Sequence, residues 1–452
     1  MTDAEPRRDL VPLREATKAW FRISLQTFGG PAGQIAVMQH EIVDERRWLG
    51  ERRFLHALSY CMPLPGPEAH QLAIYTGWLL NGGIGGLIAG ALFVLPGLLV
   101  MLAMSIVYVA YGETELVVAV FAGLAPAVLA IVAQAVVKVG RRALRHPTLV
   151  VLAVASFAAI ALLGLPFPVV IAAAAAAGWV LGRYWPATMA GPSVSDDTDD
   201  HVPVVADGAL HHADPSLGRT LTVLWVGLLV WLLPVALAYA LVGPGSTLAQ
   251  QGTFFSGTAL VTFGGAYAVL AYIAQRAVED YGWLQPGEMV RGLALAETTP
   301  GPLIMVVQFV AFIGAYRDPG TLNPWIAATV AALLTTWVTF VPSFLFIFLG
   351  APYVERLRSN AMLSAALTGI TAAVVGVIAN LGLYFALHTL FDTTTTHEWG
   401  PLGIELPDPA EPDITAFLVT AVAAILLFRT RLSTLKTIGV CALVGAAITL
   451  AT

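Results

Sequence analysis

The chain has 452 residues, of which 57% are hydrophobic and 12% charged, with mean hydropathy +0.77 and a formal net charge of −6. Soluble domains carry about a quarter charged residues, so this composition excludes an ordinary soluble protein and implies a polytopic membrane protein. Its basic clusters stand between hydrophobic segments, so they report topology, and nucleic acid is not an expected partner.

The first residues, MTDAEPRRDLVP, are polar, and no short apolar run with a small-residue cleavage site follows, so no cleaved signal peptide is expected. Apolar runs able to cross a bilayer, about 20 residues, lie at roughly 84 to 110, 115 to 137, 148 to 164, 165 to 182, 220 to 242, 323 to 349, 361 to 390, 413 to 428 and 434 to 451. Four weaker segments, near 18 to 40, 54 to 80, 253 to 275 and 289 to 316, hold Gly and Pro inside them. The count is about thirteen segments, nine of them clear. Cys61 and Cys441 sit in apolar runs and read as small hydrophobes, not as a redox or metal pair. Gly82 to Gly86, GGIGG, lacks the strand and Lys of a phosphate loop and reads as a tight turn.

The chain repeats itself. TFGG begins at Thr27 and again at Thr262, an offset of 262 − 27 = 235, and the same offset carries Trp48-Leu49 onto Trp283-Leu284 and Pro65-Gly66-Pro67 onto Pro300-Gly301-Pro302. FVLPG at Phe93 and FVPSF at Phe340 extend the match with a small insertion. The expected fold is therefore all-α and polytopic, two six-segment repeats: residues 1–182, a polar linker 183–219, one extra transmembrane helix 220–242, and a second repeat 243–452. His211, His212 and the Asp cluster of the linker have nothing to fix a metal geometry and read as solvated loop.

An odd crossing between two six-segment units inverts the second, and the charges agree. The loop HEIVDERRWLGERR holds Arg46, Arg47, Arg52 and Arg53, whereas its counterpart QRAVEDYGWLQPGE holds only Arg276 with Glu279, Asp280 and Glu288. The positive-inside rule then puts the N-terminus, Lys138 to His146, Glu355 to Arg358 and Arg429 to Lys436 in the cytoplasm, and the acidic stretch Asp392 to Asp413 and the C-terminus outside. Arg7, Arg8, Arg14 and Lys18 lie inside, as does the Arg-rich loop after the first FGG. Either that segment crosses against the rule or it dips in and returns, which a membrane tolerates only where protein or a polar cavity surrounds the backbone. Broken or re-entrant helices with tips at Gly29-Gly30-Pro31 and Pro65-Gly66-Pro67 are the favoured reading.

Inverted repeats with interrupted helices are a build of secondary transporters, which bind substrate near the midplane. A broken helix exposes free N–H groups at a positive helix end, which suits an oxyanion without a buried Arg or Lys. Gly and Pro also serve plain helix packing, but both motifs twice at one offset favour a site. Gln34, Gln71, Thr298, Thr299 and Gln308 are candidate donors; Arg22 is a candidate cation or a snorkelling surface residue. Glu68 and Glu297 flank the Pro-Gly-Pro turns and are either proton carriers or partners of Arg53, Arg291 or a helix start. His56 and His70 read as packing residues, and Trp78, Trp283 and Trp399 as membrane-interface anchors. No hydrolytic, redox or metal motif is present, so neither catalysis nor a cofactor is expected.

FGGPAGQIAVMQHEIVDERRWLGERRFL, CMPLPGPEAHQLAIYTGWLL with GALFVLPG, and TFGGAYAVLAYIAQRAVEDYGWLQPGEMVRGLALAETTPGPLIMVVQFVAFIG resemble the paired signature stretches of the chromate ion transporter superfamily in its long two-domain form. That resemblance covers most of both repeats. It implies an inner-membrane exporter of chromate, with sulfate as a similar oxyanion, and carries function onto Gly29, Gly30, Pro31, Trp48, Pro65, Gly66 and Pro67, with Gly264, Gly265, Trp283, Pro300, Gly301 and Pro302. Ala266 replaces Pro31 in the second copy, so the halves are not expected to be equivalent. The expected mechanism is alternating access driven by membrane potential, protons or both; membrane lipids are the other partners, and a homodimer is compatible with it. Two rivals share these features: an oxyanion importer, and a membrane enzyme acting on phosphorylated lipids.

Overall fold

The computed structural model describes residues 11–189, 216–263, 265–353, 360–391, 393–399, 402–409, 411–430 and 432–451. Expectations resting on Arg7, Arg8, His211, His212, Gly264, Glu355 to Arg358 and Asp392 lie outside the described residues.

The chain starts with a helical hairpin: α1 (Leu13–Gln26), a break at Thr27 to Gly29, and α2 (Gly30–Gln39), which continues into a π-helical turn at His40–Glu45. Arg22 meets Glu41 at 3.0 Å and Arg46 meets Glu15 at 3.7 Å, so the two arms run antiparallel and return to the same end. Next, α3 (Glu51–Cys61) leads through Pro65-Gly66-Pro67 into α4 (Glu68–Tyr111). α4 turns back on itself at Asn81 and Gly82, the turn expected from GGIGG, and Asn81 Nδ2 ties it to the Val11 carbonyl at 2.7 Å. α5 (Glu115–Ala143), α6 (Pro147–Ala161), α7 (Phe167–Tyr184) and the short α8 (Pro186–Met189) follow, then the connecting helix α9 (Leu217–Val242).

The same series then recurs. α10 (Thr247–Val261) and α11 (Ala266–Gln275) again end in a π-helical turn, Arg276–Asp280; α12 (Glu288–Thr298) leads through Pro300-Gly301-Pro302 and a 3-10 turn, Leu303–Met305, into α13 (Val306–Arg317). α14 (Pro324–Gly350), α15 (Ala361–Leu390), α16 (Ile414–Phe428) and α17 (Thr434–Ala451) complete the chain. Lengths match in pairs: 10 residues in α2 and α11, 11 in α3 and α12, 15 in α6 and α16, 18 in α7 and α17. One departure from all-α is a short antiparallel hairpin, β1 (Thr394–Trp399) with β2 (Leu402–Pro407). Its strand begins in a run of threonines, whose β-branched side chains favour extended backbone.

The helices of the two series interleave. α5 packs on α16 and α17, while α15 packs on α6 and α7. Small residues make both crossings tight: Gly123 of α5 lies against Gly445 of α17, and Gly369 of α15 lies against Gly178 of α7. α9 is locked to α14 by a reciprocal device. Pro342 and Pro234 lack the N–H that would bond the carbonyl four residues back. Trp231 Nε1 donates to the freed carbonyl of Val338 at 3.1 Å, and Trp337 Nε1 donates to that of Val230 at 2.8 Å.

Among the described residues α4, α5, α7, α9, α14 and α15 are long and apolar enough to cross a membrane. The crossings expected at 148 to 164, 413 to 428 and 434 to 451 are shorter apolar helices, and the four weaker segments are helices broken at their Gly and Pro. α9 turns large apolar side chains outward, with Leu241 80% and Trp225 68% exposed, a surface that only lipid or another apolar partner covers at low cost. This is a multi-pass membrane protein. The tryptophan expectation fails for two residues: Trp78 is buried and stacks on Tyr75 at 5.7 Å, and Trp283 is buried and stacks on Tyr281 at 4.3 Å. Both fill helix junctions instead of facing the membrane interface, because the chain packs around them on every side. The Trp399 side chain lies outside what is described.

Candidate functional site

The four breaks meet. Gly66 (φ 123°) and Gly301 (φ 102°) hold backbone conformations that L side chains rarely adopt, which ends helix geometry on either side. Their freed amides reach across the molecule: Gly66 N–H donates to the Thr262 carbonyl and Gly301 N–H to the Thr27 carbonyl, each at 2.8 Å. Each Pro-Gly-Pro turn is thus braced by the TFGG break of the other half. A second pair of contacts follows the same exchange. Gly97 of α4 abuts the Pro300 carbonyl, where a Cβ would come within 2.7 Å, and Ser343 of α14 abuts Gly66, whose added Cβ would lie 2.9 Å from its Oγ.

Between the tips is a narrow, partly open cleft of about 10 Å³, room for about one water molecule, lined by Pro31, Gln34, Pro67, Glu68, Ala69, Gly265, Ala266, Pro302, Leu303 and Ile304. These residues are the starts of α2, α4, α11 and the helical segment running into α13. Four helix N-termini therefore open on one space, and none has a side-chain cap. Caps exist elsewhere: Ser246, Asn323, Asn360 and Asp413 each accept a backbone N–H at the start of α10, α14, α15 and α16. Each helix start carries roughly half a positive charge and N–H groups without a partner in the helix, and among the described residues no Arg, Lys or His lines the cleft.

Of the residues expected from sequence, Pro31, Gln34, Pro67, Glu68, Gly265 and Pro302 line this cleft, with Gly29, Gly30, Gly66 and Gly301 in the turns behind it. Gln34, 1% exposed, donates from Nε2 to the Gly301 carbonyl at 2.5 Å. Gln71 closes its own turn, donating to the Pro65 carbonyl at 2.7 Å, and Gln308 donates to the Leu98 carbonyl at 3.1 Å. Thr298 and Thr299 spend their hydroxyls on Leu295 and Ala296 carbonyls of their own helix, at 2.8 and 2.9 Å. The structure does not bring Arg22 to the cleft: it pairs with Glu41 at 3.0 Å and Glu45 at 3.7 Å, with about half of its side chain exposed. Arg291 turns to the Tyr108 hydroxyl at 3.3 Å and the Phe121 ring, not to Glu297. Glu297 is buried and accepts a hydrogen bond from Tyr267, which stands beside the cleft residue Ala266. His70 is packed among Phe93, Phe340 and Phe344, as a packing residue would be.

Sequence reasoning missed the roles of Thr27, Thr262, Gly97, Ser343 and Tyr267. The two threonines head the repeated tetrapeptides, and Gly97 and Ser343 each follow the proline of the matched FVLPG and FVPSF stretches. The signal was present, but only contact across the halves gives it meaning.

A sequence model of the chromate transporter family matches residues 14–179 and 249–446. The chain is 32% identical over 367 residues to the chromate transport protein of Pseudomonas aeruginosa, covering 79% of this chain and 77% of that protein. It is 26% identical over 416 residues to the probable chromate transport protein of Synechococcus elongatus, covering 88% and 92%. A transporter of Bacillus subtilis with no assigned function aligns over 134 residues at 27% identity, 30% of this chain but 68% of its own length. No solved structure matches the chain. With its family signature present in both halves and a relative 32% identical over more than three quarters of each chain, the chain belongs to the chromate transporter family.

Proposed function

We propose that this protein is a secondary transporter that exports chromate, and sulfate-like tetrahedral oxyanions with it, across the cytoplasmic membrane by alternating access, with the N-terminus inside and the C-terminus outside. The observation that carries the reading is the convergence of four uncapped helix starts on one cleft without a basic side chain. A tetrahedral oxyanion needs several converging donors, and backbone N–H groups supply them at no cost of burying a cation. The relatives named as chromate transport proteins supply the substrate. Matched helix lengths and reciprocal Thr–Gly bonds support an inverted repeat whose halves rock about the cleft. So does the placing of the hairpin bases: Asn81 meets the start of α1 near one end of the long arm of α4, and Tyr108 meets Glu288 of α12 near the other, 3.1 Å away.

Export suits the energetics. Moving a dianion out of a negative interior gains about 4.6 kcal/mol per 100 mV, twice the ~2.3 kcal/mol of a single charge. That sustains a gradient of about a thousandfold. The test is uptake of labelled chromate into inverted membrane vesicles, with and without an imposed interior-positive potential. Saturable, potential-stimulated uptake that excess sulfate reduces is the expected result; uptake no greater than in empty vesicles, with the protein inserted, would remove chromate as the substrate.

A further inference from the structure

We propose, building on the anion cleft above, that Glu68 takes up a proton as the anion docks, so that one proton is bound and carried together with each dianion. Among the described residues Glu68 is the only charged side chain lining the cleft; its neighbours there are Pro, Gln, Ala, Gly, Leu and Ile. Its carboxylate has no ion pair among the described residues, and the charged and titratable groups there that act on it electrostatically are the Arg142 guanidinium at the end of α5 and the Cys61 thiol of α3. It stands at the start of α4, where the helix ends that attract a substrate attract a carboxylate equally. In the empty cleft the tethered carboxylate serves as the anion. When a dianion occupies the same space, two like charges compete for the same donors, and the carboxylate gains a proton from water on the side to which the cleft is open. Release reverses the step: the anion leaves, the acid gives its proton to water on the other side, and the carboxylate returns to the helix starts.

A structural role alone competes with this. Acidic residues favour the first turn of a helix, and Glu51, Glu115 and Glu288 stand there in α3, α5 and α12. The second half argues against that role at the cleft, because Leu303 holds the position that matches Glu68 at the 235-residue offset and a helical segment still starts there, through a 3-10 turn. The fold does not require the acid; one side of the cleft has it.

The two roles separate in charge and proton counts. In liposomes holding the purified protein, at a pH where chromate is dianionic, the reversal potential of chromate flux is to be measured with and without a pH gradient. The wild type is expected to move one net negative charge per chromate and to shift its reversal potential with the pH gradient; Glu68→Gln is expected to move two and to ignore it. Chromate binding, read from thermal stabilisation of the detergent-solubilised protein, should weaken about tenfold per pH unit in the wild type above the range where Glu68 titrates, since one proton is linked to one anion, and should be flat with pH in Glu68→Gln. A wild-type reversal potential blind to the pH gradient, or proton linkage that persists in Glu68→Gln, overturns the proposal. If Glu68→Gln inserts but does not move chromate, the binding measurement decides: flat binding upholds it, and pH-dependent binding overturns it. Absence of chromate flux in the wild type would instead defeat the transport reading on which it rests.

Discussion

In the first half, the helix starts at the cleft bring Pro31, Gln34 and Glu68; at the matching places the second half has Ala266, Val269 and Leu303. The backbone beneath them is braced alike on both sides, by the two 2.8 Å bonds from Gly66 to Thr262 and from Gly301 to Thr27, although the second half enters its helix at Leu303 through a 3-10 turn. The helix starts that face the cleft are thus built twice, while its polar side chains are built once. Ion pairs differ in the same way. Glu288 of the second half, 6% exposed, accepts from both guanidinium nitrogens of Arg317 at 2.6 and 2.9 Å, from Tyr108 and from the Gln285 N–H. Glu41 of the first half, equally buried, shares Arg22 at 3.0 Å and Arg46 at 3.4 Å, and Arg22 is 54% exposed.

The largest effect should come from breaking what the halves share. Gly66→Leu would drive a side chain into Gln71 and Ser343, and Gly301→Leu into the backbone of Gly97, both at φ values that resist a side chain. Each should remove more than about nine-tenths of chromate uptake while the protein remains monodisperse after solubilisation. Normal uptake by both variants would mean that the tips do not form the site. A step smaller is the contrast between ion pairs. Arg317→Ala strips Glu288 of its bidentate partner and should cost about 2–3 kcal/mol of stability, whereas Arg22→Ala, an exposed partner with Arg46 still in place, should cost less than about 1 kcal/mol. Equal losses in thermal denaturation would erase the distinction. Smallest is Gln34→Val, which gives the first half the residue of the second and removes the bond to the Gly301 carbonyl. About 1 kcal/mol for that bond corresponds to roughly a fivefold rise in KM for chromate with little change in fold. An unchanged KM would show that the side-chain asymmetry of the cleft is idle at Gln34.

Much of this was legible in the chain. The apolar runs mark the long helices, and the Gly and Pro inside the weaker segments mark the breaks, because positive φ and a missing N–H end a helix wherever they stand. The 235-residue offset announces the duplicated series. Where the reading went wrong, the residue's type was right and its surroundings decided otherwise. Arg22 is a cation near a tip in sequence, but the hairpin turns it back onto Glu41. Trp78 and Trp283 have the amphipathic rings of interface residues, yet helices cover them on all sides. The β-hairpin at Thr394–Pro407 escaped because a hydrophobicity pattern that finds membrane helices is silent about a short polar segment between them.

By itself the sequence determined the class of protein, where its apolar helices lie, the places where helices must break, and the repeat that doubles each break. These are local properties, set by how single residues treat water, lipid and their own backbone dihedrals. Only the tertiary structure decided that the four breaks share one cleft and that each Thr carbonyl serves the Gly of the other half. It also decided that Glu68 faces the cleft while Glu297 turns to Tyr267. Those facts depend on contacts between residues about two hundred or more positions apart, and a bond such as Gly301 N–H to Thr27 forms only when both segments of the crossing are in place.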